Sequence, residues 1–185
     1  MQEYETRIIK INPEDIRLKL SNANALKIKM ENQTNFIYDF EDGKLINNKG
    51  YARIRIVEDL IHNSSHFYMT TKKLLSQETY KIMEENETEI LDWKAGEKIF
   101  ESLGLKLLHS IKKYRESYKY KDSLIEIDIN DTSFCPFAYV EIETKNDRDL
   151  VEIVHLLGYS IEDTTSETIY EILHKITKDN KLLDT

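Results

Sequence analysis

Three short motifs with a common two-residue spacing carry most of the chemistry this chain offers. Glu3-Tyr4-Glu5-Thr6-Arg7 lies at one end, Tyr139-Val140-Glu141-Ile142-Glu143 near the other, and Arg53-Ile54-Arg55 between them. Side chains alternate between the two faces of an extended strand, so residues two apart project together. Each motif thus aims two or more charges from one face. Ile54, Ile56, Val140 and Ile142, of the opposite parity, ask for an apolar core. Paired carboxylates suit hard divalent cations, which take oxygen ligands. Paired guanidiniums suit phosphate, whose oxygens match their planar fork. The combination points to a highly charged ligand.

The same parity recurs along the chain. Tyr68, Thr70 and Lys72 share one face, as do Ile111, Lys113 and Arg115, and Glu85, Glu87 and Glu89. Leu124, Glu126 and Asp128 oppose Ile125, Ile127 and Ile129. For any single strand the default is an antiparallel sheet with one face on helices and one in water, where charges are expected. Basic and acidic strands alternate here, however, and about eight strands suffice to close a barrel. Charges inside a barrel are expensive unless they pair or meet a ligand, so an interior of this kind implies a function.

The elements that must position these residues are mostly legible. Residues 3–11 alternate as a strand, and Asn12-Pro13 ends it and begins a helix, with Asn12 as cap and Pro13 at the first helical position. Strands are expected at 25–31, 35–40, 51–58, 66–73, 78–90, 106–120, 123–129 and 137–144, with a turn-rich loop from Glu41 to Gly50. Asp92 caps a helix with the stripe Trp93, Ile99, Phe100 and Leu103, and Gly104 follows its end. A helix bearing Leu150, Val151, Val154 and Leu157 ends at Gly158. Another bearing Ile169, Ile172, Leu173 and Ile176 follows Thr164 and Glu167, which have capping-box spacing.

At 185 residues, with no internal repeat or Pro/Gly linker, the expectation is one domain over 1–185. The net charge of −8 argues against broad nucleic-acid binding, which draws on a basic surface, while leaving room for a local phosphate pocket. A lone cysteine excludes an intrachain disulfide and fits a reducing compartment. With no apolar run of about 18 residues and no signal-peptide pattern at the acidic start, the reading is a cytoplasmic protein that binds neither membrane nor nucleic acid.

Taken in order, Glu3-x-Glu5-x-Arg7, Arg53-x-Arg55, Thr70-x-Lys72, Lys113-x-Arg115, Asp128 and Glu141-x-Glu143 resemble the CYTH superfamily, also called triphosphate tunnel enzymes. The superfamily contains class IV adenylyl cyclases, thiamine triphosphatases and inorganic triphosphatases. The similarity runs from about residue 2 to 175 and includes Leu157-Gly158-Tyr159 and Thr168 to Leu173. It implies an α+β fold, a closed antiparallel eight-stranded β-tunnel with flanking helices.

By position, Arg7, Arg53, Arg55, Lys72, Lys113 and Arg115 would bind substrate, a small-molecule triphosphate such as ATP, thiamine triphosphate or inorganic triphosphate. Glu3, Glu5, Glu85 or Glu87, Asp128, Glu141 and Glu143 would hold Mg²⁺ or Mn²⁺ or support its ligands. Arg7, Glu5 and Glu141 would carry catalysis, in a monomer or homodimer. Two departures stand out. Arg7 takes the place of the usual lysine, which bears on hydrolysis more than on binding, since arginine stays protonated. The segment Asp131 to Pro136 lacks the customary Leu-Gly turn, which alters one tunnel mouth.

The resemblance implies either attack of a ribose 3′-hydroxyl on the α-phosphorus, as in the cyclase branch that the C-terminal stretches favour, or hydrolysis by water. A noncatalytic triphosphate binder is the alternative from a different class. An apolar-ligand carrier conflicts with the charged parity. His62 and His66 are four apart but lack a third ligand nearby. Cys135 lies in no nucleophile motif, Trp93 reads as a helix anchor, and Glu84-Glu85-Asn86-Glu87 fits a solvated face as well as a tunnel wall.

Overall fold

The two parities of the sequence sort onto the two faces of one antiparallel sheet. The computed structural model describes residues 4–77 and 81–183. Its strands are β1 (Tyr4–Ile9), β2 (Leu26–Phe40), β3 (Tyr51–Asp59), β4 (Ser64–Gln77), β5 (Lys81–Ile90), β6 (Leu105–Tyr120), β7 (Ser123–Asn130), β8 (Tyr139–Thr144) and β9 (Thr164–Thr165). They hydrogen-bond in the order β5-β4-β3-β2-β6-β7-β8-β1-β9. The helices are α1 (Pro13–Asn22), α2 (Lys44–Asn47), α3 (Trp93–Ser102), α4 (Asp147–Leu156) and α5 (Ile169–Leu183).

Helices cover the apolar face. Ile16 and Leu20 of α1 pack with Ile153 and Val154 of α4 and Leu157 at its C-cap, against Ile8, Ile125, Ile127, Val140 and Ile142. Each such side chain stabilises the fold by about 1.5–3 kcal/mol relative to exposure. A second cluster joins Phe100 of α3 to Tyr38, Ala52, Ile54 and Leu105, and Trp93 stacks on Phe36 at 5.4 Å. Trp93 is thus an anchor, as expected. Ile99 and Leu103, assigned to the same stripe, are exposed. Gly96 shares the buried face with Phe100, and a Cβ there would meet Ile90 Cδ1 at 2.8 Å and Met69 Sδ at 3.1 Å.

Several local expectations hold. The Asn12 side chain accepts from the Glu14 N–H, and Asp92 accepts from Lys94 and Ala95. The capping box of α5 differs. It is formed by Thr168 and Glu171, whose carboxylate accepts from the Thr168 N–H at 2.9 Å while the Thr168 hydroxyl accepts from the Glu171 N–H. Thr164 instead lies in β9 and pairs with Ile8. The segments 25–31 and 35–40 form one strand, since Asn32 to Thr34 pair on both sides, with β3 and β6.

The expected closed eight-stranded barrel becomes an open, curled sheet of nine strands. No backbone ladder joins the edge strands β5 and β9 among the described residues. Strand β9 is two residues long, and the chain then turns into α5, so β9 offers no ladder for β5 to meet. Side chains bridge part of the gap. Lys49 before β3 lies 3.9 Å from Glu171 of α5. Burial opposes the charge on Lys72, but Tyr51 and Glu85 raise its pKa, and Glu5 of β1 adds to them across the concave face although five strands separate β1 from β4 in the sheet order.

Candidate functional site

Register places the predicted charged residues on that concave face. Arg53 and Arg55 stand opposite Ile37 and Asn35 of β2 on one side, and Thr70 and Tyr68 of β4 on the other. Lys72 faces Glu85, and Thr70 faces Glu87. On the other half, Gln33 and Glu31 pair with Lys113 and Arg115, Arg115 with Asp128, Glu126 with Glu141, and Glu141 with Arg7. Glu5 stands opposite Glu143. Glu3 lies outside the described residues.

The cations are enclosed: the Arg7, Arg53, Arg55, Lys113 and Arg115 side chains are 13–19 % exposed. That sets the concave interior apart from a solvated sheet face and decides between the two readings of the parity.

Two ion-pair clusters fill the face. In the first, Arg55 donates from Nη2 to Glu87 at 2.9 Å, and Arg53 donates to Glu87 at 3.2 Å and to the Thr70 hydroxyl at 3.3 Å. The Thr70 hydroxyl donates to Glu87 at 2.6 Å, and Lys72 pairs with Glu85 at 2.8 Å. Glu85 and Glu87 therefore both face the interior, with Glu87 holding the two arginines and Glu85 the lysine. Burial opposes ionisation of Glu87, but the Thr70 hydrogen bond with Arg55 and Arg53 outweighs it and lowers its pKa. Burial, reinforced by Arg53, lowers that of Arg55.

In the second cluster Arg115 grips Asp128 with Nε and Nη2, both at 2.6 Å, and donates to Glu141 at 2.9 Å and to Glu126. Lys113 donates to Asp128 at 2.9 Å. Arg7 donates from Nε to Glu141 at 2.8 Å, from Nη1 to the Glu167 carbonyl at 3.0 Å, and from Nη2 to Glu5. Burial works against the charge on Asp128, yet Arg115 and Lys113 hold its carboxyl well below the usual range. Glu141 is lowered against burial by Arg7 and Arg115. Burial and the neighbouring Arg115 lower the Lys113 pKa despite Asp128. Burial, with Asp128 and Glu141 adding to it, pushes the Tyr139 phenol well up.

Buried polar atoms lie between these clusters without partners. Among the described residues the Arg53 and Arg55 Nε–H groups have no acceptor, and the Gln33 and Asn35 side-chain carbonyls have no donor. The β2 residues Glu31, Gln33 and Asn35 escape the sequence reading of the site, because Asn32 to Asn35 is polar at both parities and reads as a connection between two strands. Its signal was the alternation of Glu31, Gln33 and Asn35, visible only once the strand is continuous.

Other candidates have local roles. His62 pairs with Asp59 at 2.7 Å, and His66 with Glu89 at 2.7 Å. Cys135 is buried, its thiol donates to the Phe137 carbonyl, and burial raises its pKa.

As to a metal, no three acidic, histidine or cysteine side chains converge as a ready cage among the described residues. Glu5 and Glu143, which stand opposite each other, and Glu141, whose two oxygens Arg7 and Arg115 hold in this structure, nonetheless carry the oxygen donors that a hard divalent cation takes. Glu5 is the more accessible of the paired carboxylates, at 42 % exposed. Asp128 is fully occupied by Arg115 and Lys113 and fits a supporting place better.

This curled sheet with its charged interior matches a known class. The CYTH domain family matches residues 1–169, and the chain belongs to it. Among solved structures it is similar to a Pyrococcus horikoshii OT3 protein, with 23 % identity, 92 % of this chain and 98 % of that one covered, and a TM-score of 0.73. It is also similar to a Vibrio parahaemolyticus protein provisionally named an adenylate cyclase, at 17 % identity, 93 % and 97 % coverage and a TM-score of 0.73. A Hippeastrum protein, an adenylyl cyclase candidate described as having a dominant triphosphatase activity, shares 18 % identity over 94 % of this chain and 96 % of that one, with a TM-score of 0.69. At these identities the likeness establishes a shared fold. No curated protein matches the chain. No helix among the described residues is long and apolar enough to cross a membrane.

Proposed function

We propose that residues 1–185 act as one domain that binds a triphosphate with a divalent cation on the concave face. The reaction is that of a class IV adenylyl cyclase, ATP to cyclic AMP and pyrophosphate. The observation that carries this reading is the pair of buried Nε–H groups on Arg53 and Arg55, which have no acceptor among the described residues. A buried donor left unpaired costs about 1–3 kcal/mol. A phosphate oxygen would supply the missing acceptor.

In this reading Arg53, Arg55, Lys72, Lys113 and Arg115 neutralise the phosphate chain, and Glu85 and Glu87 orient the first three. Glu5, Glu141 and Glu143 hold Mg²⁺ or Mn²⁺, with Asp128 positioning Arg115 and Lys113. When bound, such a cation would neutralise phosphoryl charge and favour ionisation of the nucleophile. Phosphoryl-transfer chemistry is mostly positioning and charge stabilisation, which such a face supplies. The ribose 3′-oxygen bonds to the α-phosphorus, the bond from that phosphorus to the bridging oxygen breaks, and pyrophosphate leaves. The hydroxyl proton passes to bulk water.

The second reading is hydrolysis of inorganic or thiamine triphosphate by the same face. The activity described for the Hippeastrum relative favours it. Incubation with ATP and Mn²⁺ separates the two: cyclic AMP with pyrophosphate supports the cyclase, and orthophosphate the hydrolase. Triphosphate binding without any product points to a binder that has lost turnover, and absence of binding sinks the proposal.

A further inference from the structure

Helix α3 has two apolar faces, and the fold buries one. Gly96 and Phe100 are buried against the sheet. At about 100° per residue, Ala95, Ile99 and Leu103 form a second stripe roughly a quarter-turn away. All three are exposed, Ile99 by 51 % and Leu103 by 64 %, and Leu91, just before the Asp92 cap, is exposed by 100 %. Gly96 lies between the two faces and looks onto Met69 of β4 and Ile90 of β5. Because β5 ends the sheet, the stripe projects past the last strand, and no described residue covers it.

The charges bordering the stripe name its occupant. Lys94, Lys98 and Glu101 are exposed along its solvent side. Two copies of α3 crossing antiparallel about a two-fold axis at Ile99 bring Lys98 of each protomer beside the partner's Glu101, offset by about one residue's rise. A parallel crossing sets Lys94 and Lys98 against their own copies instead. Charges flanking an apolar seam select orientation in paired helices, and a two-fold contact uses one self-complementary patch twice. Leu91, Ile99 and Leu103 together present on the order of 400 Å² of apolar surface, as large as the main patch on an ordinary monomer and often functional. Doubled, and with the stems of Lys98 and Glu101, the contact reaches roughly 1,200 Å², where specific interfaces begin. That size fits a reversible homodimer of micromolar affinity.

We propose that α3 is the seam of a homodimer, in which Ile99 packs on its own copy across the two-fold axis and Lys98 pairs with the partner's Glu101. Helix α3 lies on the apolar face of the sheet, opposite the charged concave face. The inference therefore stands independently of the triphosphate reading, and neither depends on the other.

Sedimentation velocity of the full chain between about 1 and 200 µM tests this, since that range brackets a micromolar equilibrium. The wild type is expected to pass from monomer to dimer as concentration rises. Ile99→Asp and Leu103→Gln are each expected to raise the dissociation constant by about tenfold or more. Both positions are exposed, so far-ultraviolet dichroism should stay that of the wild type. Lys98→Glu and Glu101→Lys are each expected to weaken self-association by about threefold or more. Mixing those two variants is expected to restore a dimer within about twofold of wild type, because only the mixed pair sets unlike charges across the seam. A helix that merely tolerates the substitutions poorly would not recover on mixing. A wild type that stays monomeric throughout, including one that instead binds lipid vesicles or a different protein, overturns the inference. So does a dimer that Ile99→Asp and Leu103→Gln leave intact, or one that mixing the charge variants fails to restore.

Discussion

Arg115 and Asp128 face each other across β6 and β7 as a two-pronged pair, Nε to Oδ1 and Nη2 to Oδ2, both at 2.6 Å. The Asp128 side chain is wholly buried, and Lys113 shares its Oδ2. Removing one member of a buried pair leaves uncompensated charge and typically costs about 3–5 kcal/mol. Asp128→Asn keeps the shape but removes the charge facing two cations. Urea unfolding is expected to show a loss near the lower end of that range, because Glu126 and Glu141 still face Arg115. A stability within about 0.5 kcal/mol of wild type would show the pair to be energetically idle.

The pH dependence of stability has a definite sign. Asp128, Glu141, Glu87 and Glu116 all have folded-state pKa values below their ordinary ones. Glu116 is lowered to about 2, because hydrogen bonds from Lys27, Tyr118, Arg17 and Tyr114 outweigh its burial. A depressed carboxylate contributes stability that is fully present above the unfolded value, about 4, and is lost as pH falls through the folded one. Urea midpoints are therefore expected to hold constant from about pH 7 to 5 and then to drop steadily towards pH 2. Glu116→Gln is expected to flatten part of that drop, and a midpoint that rises on acidification would contradict the assignment.

Binding separates from turnover along the two halves of the face. Arg55→Ala removes both a Glu87 partner and an unpaired donor. It is expected to weaken triphosphate binding by about tenfold or more, the loss of a charge-assisted contact worth roughly 1.5–3 kcal/mol. Glu141→Ala is expected to leave binding within severalfold and to abolish metal-dependent turnover, measured as product per enzyme at saturating triphosphate. If both variants retain wild-type kinetics, the site lies elsewhere.

Gly50 marks a backbone approach that the site depends on. A Cβ at this position would stand 2.3 Å from the Lys72 carbonyl oxygen, so the entry to β3 must move off β4 to admit one. Overpacking of this kind costs about 1–3 kcal/mol. Gly50→Ala is expected to lower the melting temperature and also to weaken triphosphate binding, because the strand it displaces carries Lys72. A variant with unchanged melting and affinity would show that the contact relaxes freely.

Much of this architecture was legible because strand parity is a strict code. Arg53 and Arg55, Lys113 and Arg115, and Glu141 and Glu143 alternate with isoleucine and valine, so their common face follows from the period of two. The same code fails where both parities are polar. Asn32 to Asn35 carry no apolar partner residues, and the centre of β2 was hidden for that reason, although Gln33 and Asn35 are buried. Closure was not legible at all. It depends on where the edge strands end, and the two-residue β9 has no periodicity to read. The α5 cap was misplaced because Thr164–Glu167 and Thr168–Glu171 share one spacing, and only the pairing of Thr164 with Ile8 separates them.

Arg7 provides the sharpest test of chemistry. Its guanidinium holds Glu141, Glu5 and the Glu167 carbonyl at once, tying β1 to β8 and to the entry of α5. An ammonium group has a single nitrogen and cannot span all three acceptors, but it can shift its pKa and take part in proton transfer. Burial opposes the charge on Arg7, yet Glu141 and Glu5 raise its pKa, so it stays protonated at every accessible pH. Arg7→Lys is therefore expected to release the Glu167 carbonyl and lower stability by about 1 kcal/mol. It should keep triphosphate affinity within severalfold and raise orthophosphate release from inorganic triphosphate by about tenfold or more, which is below the usual contribution of a positioned general base. Measuring unfolding, affinity and phosphate release on the same variant separates the structural tie from the chemistry. A variant that loses stability without gaining hydrolysis assigns Arg7 to architecture alone.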